Sequence, residues 1–178
     1  YQYDLTGNIT AIHDRTPDSG IPNALLGTNA LDRTFSYDPI YRLLSATGRE
    51  TDRPPAADPW DATPRSTDMA RARAYSERYH YDAEGNLTQL QHHATSSQFT
   101  RNLALVPNSN RLATVTIGQT KYDYAYDPNG NLIRETASRH FEWDQSDRMK
   151  VFRTQVGNAE PSLYAQYLYD AAGQRVKK

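Results

Sequence analysis

Between residues 122 and 126 the chain alternates aromatic and other positions at period two, so that Tyr122, Tyr124 and Tyr126 fall on one face of an extended strand. Asp127, Pro128, Asn129 and Gly130 interrupt the alternation, and apolar residues resume at Leu132 and Ile133. Asp first, Pro second, Asn third and Gly fourth are the preferences of a type I turn closed by a left-handed residue. Pro128 presets its φ, the Asp127 carboxylate can accept N–H bonds inside the turn, and Gly130 takes positive φ without a Cβ clash. The pattern predicts a β-hairpin. Tyr75, Tyr79 and Tyr81 share one parity, as do Tyr167 and Tyr169, and strands of about five or six residues joined by tight turns are expected through most of the chain.

The phrase recurs. "YQYDLTGNI" opens the chain with Tyr1, Tyr3, Asp4 and Gly7; "YHYDAEGNL" supplies Tyr79, Tyr81, Asp82 and Gly85; "YAYDPNGNL" supplies Tyr124, Tyr126, Asp127 and Gly130; "YLYDAAGQRV" supplies Tyr167, Tyr169, Asp170 and Gly173. Two looser copies are "FSYDPIYRL", with Tyr37 and Asp38 but Tyr41 at the glycine place, and "FEWDQSDRM", with Trp143 and Asp144 but Asp147 there. "NSNRLATVTI" reads as a further return strand without its YD half. Six YD-type copies in 178 residues exceed what composition would produce and identify a hairpin-repeat, all-β chain.

These phrases resemble the RHS/YD-repeat proteins. The longer stretches "FSYDPIYRLLSATGRE", "ERYHYDAEGNLTQLQHH" and "FEWDQSDRMK" are similar to the RHS segment of bacterial Tc insecticidal toxin B and C components and their relatives with SpvB-like domains. The likeness covers nearly the whole chain and is weakest over residues 51–73. It implies repeated antiparallel β-hairpins forming a curved sheet, part of a hollow β-spiral shell around a toxic C-terminal segment. The implied partners are the remainder of the same polypeptide or a partner shell subunit, and the enclosed toxin; the implied location is a secreted or exported toxin complex. Self-cleaving relatives end in a core motif with paired aspartates in a DPxGL-type context, which "DPIYRL" and "DPNGNL" do not match. No catalytic residue is carried over, and a non-enzymatic, structural segment is expected, 1–178 being one repeat segment of a longer chain.

Two stretches break the rhythm. Residues 49–74 contain Pro54, Pro55, Pro59 and Pro64, which cannot donate to a ladder, and are expected to form a surface loop, with one short helical turn capped among Ser66, Thr67 and Asp68. Residues 13–32 read as a second long connection in which Leu25, Leu26 and Leu31 tuck back onto the sheet.

Composition narrows the function classes. Hydrophobic residues make up 37% of the chain, which suits hairpins with two polar or aromatic faces better than a compact sandwich. A net charge of −1 gives no general attraction to nucleic acid or an anionic membrane. The chain has no cysteine, so disulfides and thiolate metal sites are excluded. No apolar run reaches bilayer-spanning length, and no cofactor motif is present.

Candidate chemistry is sparse. The aromatic stripe suits either rings stacked across neighbouring hairpins or a glycan-binding platform; the first needs sheltered rings and the second exposed ones. His92 and His93 point to opposite faces of a strand, which argues against a shared metal, and both are expected at a solvated strand end. The repeat aspartates lack the spacing of known calcium loops and are expected to cap turns. His13, His80 and His140, or Glu77 with Asp82, offer acid–base groups that no motif selects.

Overall fold

The computed structural model describes residues 1–14, 32–51, 72–94 and 98–178, and every regular element among them is a β-strand. The chain forms two compact units, residues 1–102 and 103–178. In the first, β1 (Gln2–Tyr3), β2 (Ile9–Ile12), β3 (Arg33–Tyr37), β4 (Leu43–Thr51), β5 (Ala72–Tyr81), β6 (Leu87–Ala94) and β7 (Gln98–Leu105), which begins in this unit, pair antiparallel in chain order. In the second, β8 (Leu112–Ile117), β9 (Thr120–Tyr126), β10 (Leu132–Glu135), β11 (Arg139–Trp143), β12 (Met149–Thr154) and β13 (Leu163–Gln166) do the same. A last hairpin pairs β14 (Leu168–Tyr169) with β15 (Arg175–Lys177). The all-β meander expected from the repeats is the observed architecture.

The strands flanking the proline-rich stretch reach further into it than the sequence suggests. β4 and β5 stay paired from Ser45↔Arg78 out to Thr51↔Ala72, so residues 49–51 and 72–74 are strand rather than loop. These six positions hold no proline, and the ladder continues where donors remain available. The helical turn around Ser66–Asp68 and the leucines at 25, 26 and 31 lie outside the described residues. The second connection is clasped at its base, where His13 Nδ1 lies 2.9 Å from an Asp32 carboxylate oxygen.

The hairpins bury little aliphatic surface. Among the described residues the buried apolar side chains are Ala11, Ala46, Ala94, Val115 and Val151, and no large side chain is fully enclosed. In the first unit the pleat sends Glu50, Tyr75, Glu77, Tyr79 and His92 to one face, and Ser45, Thr47, Ser76, Gln91 and His93 to the other. The second face is stitched by uncharged side chains: Ser36 to Ser45 at 2.6 Å, Thr34 to Thr47 at 3.0 Å and Gln89 to Asn102 at 2.8 Å. On the first face Gly48 opposes Tyr75, whose ring fills the space above it; a Cβ at 48 would sit 2.5 Å from ring atoms.

Two substitutions test these backbone assignments. Gly130 has φ +94°, and no atom lies closer than 3.7 Å to the place a Cβ would take, so Gly130→Val meets conformational strain rather than a clash. It should cost roughly 1–3 kcal/mol in denaturant melts, with Gly130→Asn costing less because Asn tolerates the left-handed region. Gly48→Ala should cost about 1–3 kcal/mol through overpacking. Adding Tyr75→Ser should make that cost non-additive, since the ring is the obstacle.

Candidate functional site

Each of the six tyrosine–aspartate-type hairpins is closed by its aspartate in the same way. The Asp4 main-chain N–H donates to Asn8 C=O and the Gly7 N–H to Asp4 C=O, while the Asp4 carboxylate accepts the N–H groups of Thr6 and Asn8 at 2.9 Å and the Asn8 side-chain amide at 2.8 Å. The backbone pair recurs at Asp38, Asp82, Asp127, Asp144 and Asp170. Their carboxylates accept the N–H four residues on, from Arg42, Asn86, Asn131, Arg148 and Gln174. The glycines Gly7, Gly85, Gly130 and Gly173 close their turns at φ between +80° and +94°. Tyr41 and Asp147 take positive φ at the same place in the looser copies, and the return strand at Leu112 follows a turn in which Asn108 does so. The register slips at the aromatic that precedes the aspartate, as a turn ending in a left-handed residue requires.

The side-chain amide of Asn8, then the Thr6 hydroxyl, hold the Asp4 carboxyl down to about 2. Asp82 is lowered chiefly by the Asn86 amide, and Asp144 chiefly by the Arg148 N–H. At Asp38 and Asp127 partial desolvation pushes upward, and the bonds from Arg42 and Asn131 outweigh it.

From Tyr37 onward, the second aromatic of each repeat reaches back to the hairpin before it. Tyr37 donates its hydroxyl to Ile9 C=O at 3.0 Å, Tyr81 to Leu43 C=O at 2.9 Å, Tyr126 to Leu112 C=O at 3.0 Å and Tyr169 to Met149 C=O at 2.8 Å. Trp143 does the same with its indole N–H, to Leu132 C=O at 2.7 Å. Every acceptor is the first strand residue after the preceding turn. The first aromatics have other partners: Tyr79 donates to Glu77 and Tyr124 to Glu135, Arg175 lies over the Tyr167 ring, and Phe141 packs on Phe152. Burial, then the Glu135 charge, pushes the Tyr124 hydroxyl up to about 12. Tyr1 and Tyr3, 73% and 59% exposed, stack on one another at 6.4 Å.

Arginines reach the other way. Arg42 and Arg148 each hold the aspartate of their own turn through Nε. Each then extends its guanidinium over the tyrosine of the next hairpin, Tyr81 at 4.8 Å and Tyr169 at 4.9 Å, and donates to the next aspartate's C=O, Asp82 at 3.2 Å and Asp170 at 3.4 Å. Arg111 lies over Tyr126 at 5.7 Å. The signal was present as an Arg standing where the fuller copies have Asn or Gln.

His92 is buried, contrary to the solvated strand end expected for it. Only 5% exposed, it stacks on Phe99 at 4.7 Å, with Glu77 3.0 Å from Nδ1 and Glu50 3.2 Å from Nε2. Cross-strand neighbours on both sides place a ring there that periodicity alone cannot show is covered. The Nε2 contact has ion-pair distance without hydrogen-bond alignment. The carboxylates approach opposite ring nitrogens, so the three groups do not converge on one point. Among the described residues no cluster of three metal-ligating side chains forms.

His93 lies on the other face opposite Ser76, with Thr47, Arg78 and Gln91 beside them and no carboxylate among these neighbours to complete a triad. His13 pairs with Asp32, His80 is exposed, and His140 Nε2 lies 3.3 Å from Gln155 C=O. Glu77 is engaged with His92 and Tyr79, and Asp82 with its turn, so these two do not act as a pair.

Tyrosine–aspartate hairpins laid edge to edge, five of the six bonded by an aromatic to the one before, define a hairpin-repeat sheet, and in this the chain is similar to RHS-containing toxin subunits. The chain is homologous to two toxin subunits of Yersinia entomophaga, YenC1, with 28% identity over the whole chain, and YenC2, with 24%. It spans 18% and 19% of their lengths. Its fold matches a part of the crystal structure of TcdB2-TccC3-Cdc42 with a TM-score of 0.71 and 22% identity, over 98% of this chain and 8% of that one. No protein-family profile matches the chain.

Two measurements check the site. Tyr126→Phe keeps the ring and strips the donor from Leu112 C=O, and should lower stability by about 1 kcal/mol. Because the lowered aspartates carry stability present above their unfolded pKa, their contribution should be constant above about pH 5 and be lost as pH falls from about 4 towards 2. Denaturant midpoints across that range, with Asp4→Asn flattening part of the slope, test the assignment.

Proposed function

We propose that this chain is a non-catalytic stretch of wall in the shell of an exported toxin complex, continuous with the rest of its polypeptide or a partner shell subunit and enclosing a toxic chain. The supporting observation is that the repeat's polar groups are spent on the sheet itself: hydroxyls, an indole N–H and guanidiniums run from one hairpin to the next. A wall requires continuity rather than a reactive centre, and this arrangement supplies it, each hairpin satisfying its neighbour's backbone. Homology to the two Yersinia toxin subunits supports the toxin-complex setting.

A glycan-binding platform is the second reading, and the interior stripe does not favour it. Tyr37, Tyr81, Tyr126 and Tyr169 are half-buried with their hydroxyls committed to backbone carbonyls, and arginines lie over the rings of Tyr81, Tyr126 and Tyr169.

The test uses the parent polypeptide. After limited proteolysis, a resistant particle should retain a cleaved segment under native conditions and release it on denaturation, as native and denaturing mass measurements would record. A parent that separates into small pieces with nothing retained would refute enclosure.

A further inference from the structure

The five strands β3 to β7 contain two carboxylates, Glu50 and Glu77, and the pleat sets both on the face that carries Tyr75 and His92. The opposite face carries Arg78, His80 and His93 among hydroxyls and amides, with no strand carboxylate beside them. Elsewhere in this unit Arg42 is committed to Asp38, and Arg101 lies over the Phe99 ring. Arg78 is exposed and has no hydrogen-bond or ion-pair partner among the described residues, and the same holds for the exposed side chains of Ser76 and His93. The register gathers these groups: Ser76 stands opposite His93, and Arg78 opposite Gln91, as two adjacent cross-strand pairs of one face. The four line a cleft of about 230 Å³. Gln91 is held as one wall of it, its amide nitrogen donating to Gln89 at 2.7 Å while Gln89 donates to Asn102 at 2.8 Å. An adjoining recess of about 420 Å³ shares Ser76 and His93 with the cleft and adds Ala74 and Ala94 to its lining.

We infer that this cleft binds a tetrahedral oxyanion, a phosphate or sulfate group. The Arg78 guanidinium presents a planar fork of N–H donors that matches two oxygens of such a group. The His93 ring offers an N–H in either neutral tautomer or as imidazolium, and the Ser76 hydroxyl offers an O–H. An anion seated there gains the Arg78 charge and meets no opposing carboxylate on the face, whereas a metal cation would meet that charge with no acid to hold it. The group arrives as the free ion or as the ester of a small organic molecule, whose carbon part the adjoining recess accommodates. This site is independent of what the sheet encloses and of the bonds that join its hairpins.

Titration of the full chain with inorganic phosphate and with phenyl phosphate, followed at the backbone amide resonances of residues 76–78 and 91–93, tests the site. At least one of the two should give saturable shifts centred on these residues. Arg78→Gln should weaken that binding by about tenfold or more, and His93→Ala by about threefold. Both side chains are exposed, so the two variants should melt at the temperature of the parent. Arg134→Gln removes an equal charge from an exposed strand residue of the second unit and should leave the affinity unchanged. Tighter binding of phenyl phosphate would identify the ligand as an ester, and equal or weaker binding would identify it as the free ion. Shifts that fail to saturate with either probe, an affinity indifferent to Arg78→Gln, or equal losses from Arg78→Gln and Arg134→Gln would overturn the inference.

Discussion

The structure depends on one bond repeated along the chain: an aromatic donor, in five of the six tyrosine–aspartate-type hairpins, given to the first carbonyl after the preceding turn. An isolated two-stranded hairpin is marginal in water, because it orders many residues for few contacts. Linking each hairpin to its predecessor by a directional bond, a ring contact and a shared sheet edge distributes stability between neighbours. The aspartate makes the bond possible, since its carboxylate fixes the turn and so places both the carbonyl and the next aromatic.

Such a sheet needs little aliphatic core. The enclosed apolar residues are small or β-branched, and the faces are filled by tyrosine, serine, threonine, glutamine and paired charges. The low hydrophobic content is thereby explained: surface that a sandwich would bury under leucine is covered here by rings and hydrogen-bonded polar groups. His92 shows the extreme, a polar ring held between Phe99 and two glutamates where a compact domain would place an aliphatic side chain.

The hairpins were legible because turn chemistry is local: Asp127 to Gly130 specify their conformation without reference to anything distant. The shared parity of Tyr79 and Tyr81 was legible for the same reason. The partners of those tyrosines were not, because Leu43 C=O reaches Tyr81 only after β4 and β5 have paired. Arg42 and Arg148 were hidden differently, in copies that looked degenerate by their missing glycine; the structure shows a second class of hairpin with its own task. The burial of His92 depends on three strands at once, and no single-strand pattern encodes it.

Nearest-neighbour linkage is most directly tested by native-state hydrogen exchange on Tyr169→Phe, which keeps the ring beneath Arg148 and removes only the bond to Met149 C=O. The account predicts faster exchange in the hairpins at residues 141–154 and 168–177, with residues 120–135 unchanged. Uniform acceleration through the whole second unit would instead reveal a single cooperative core and contradict the account.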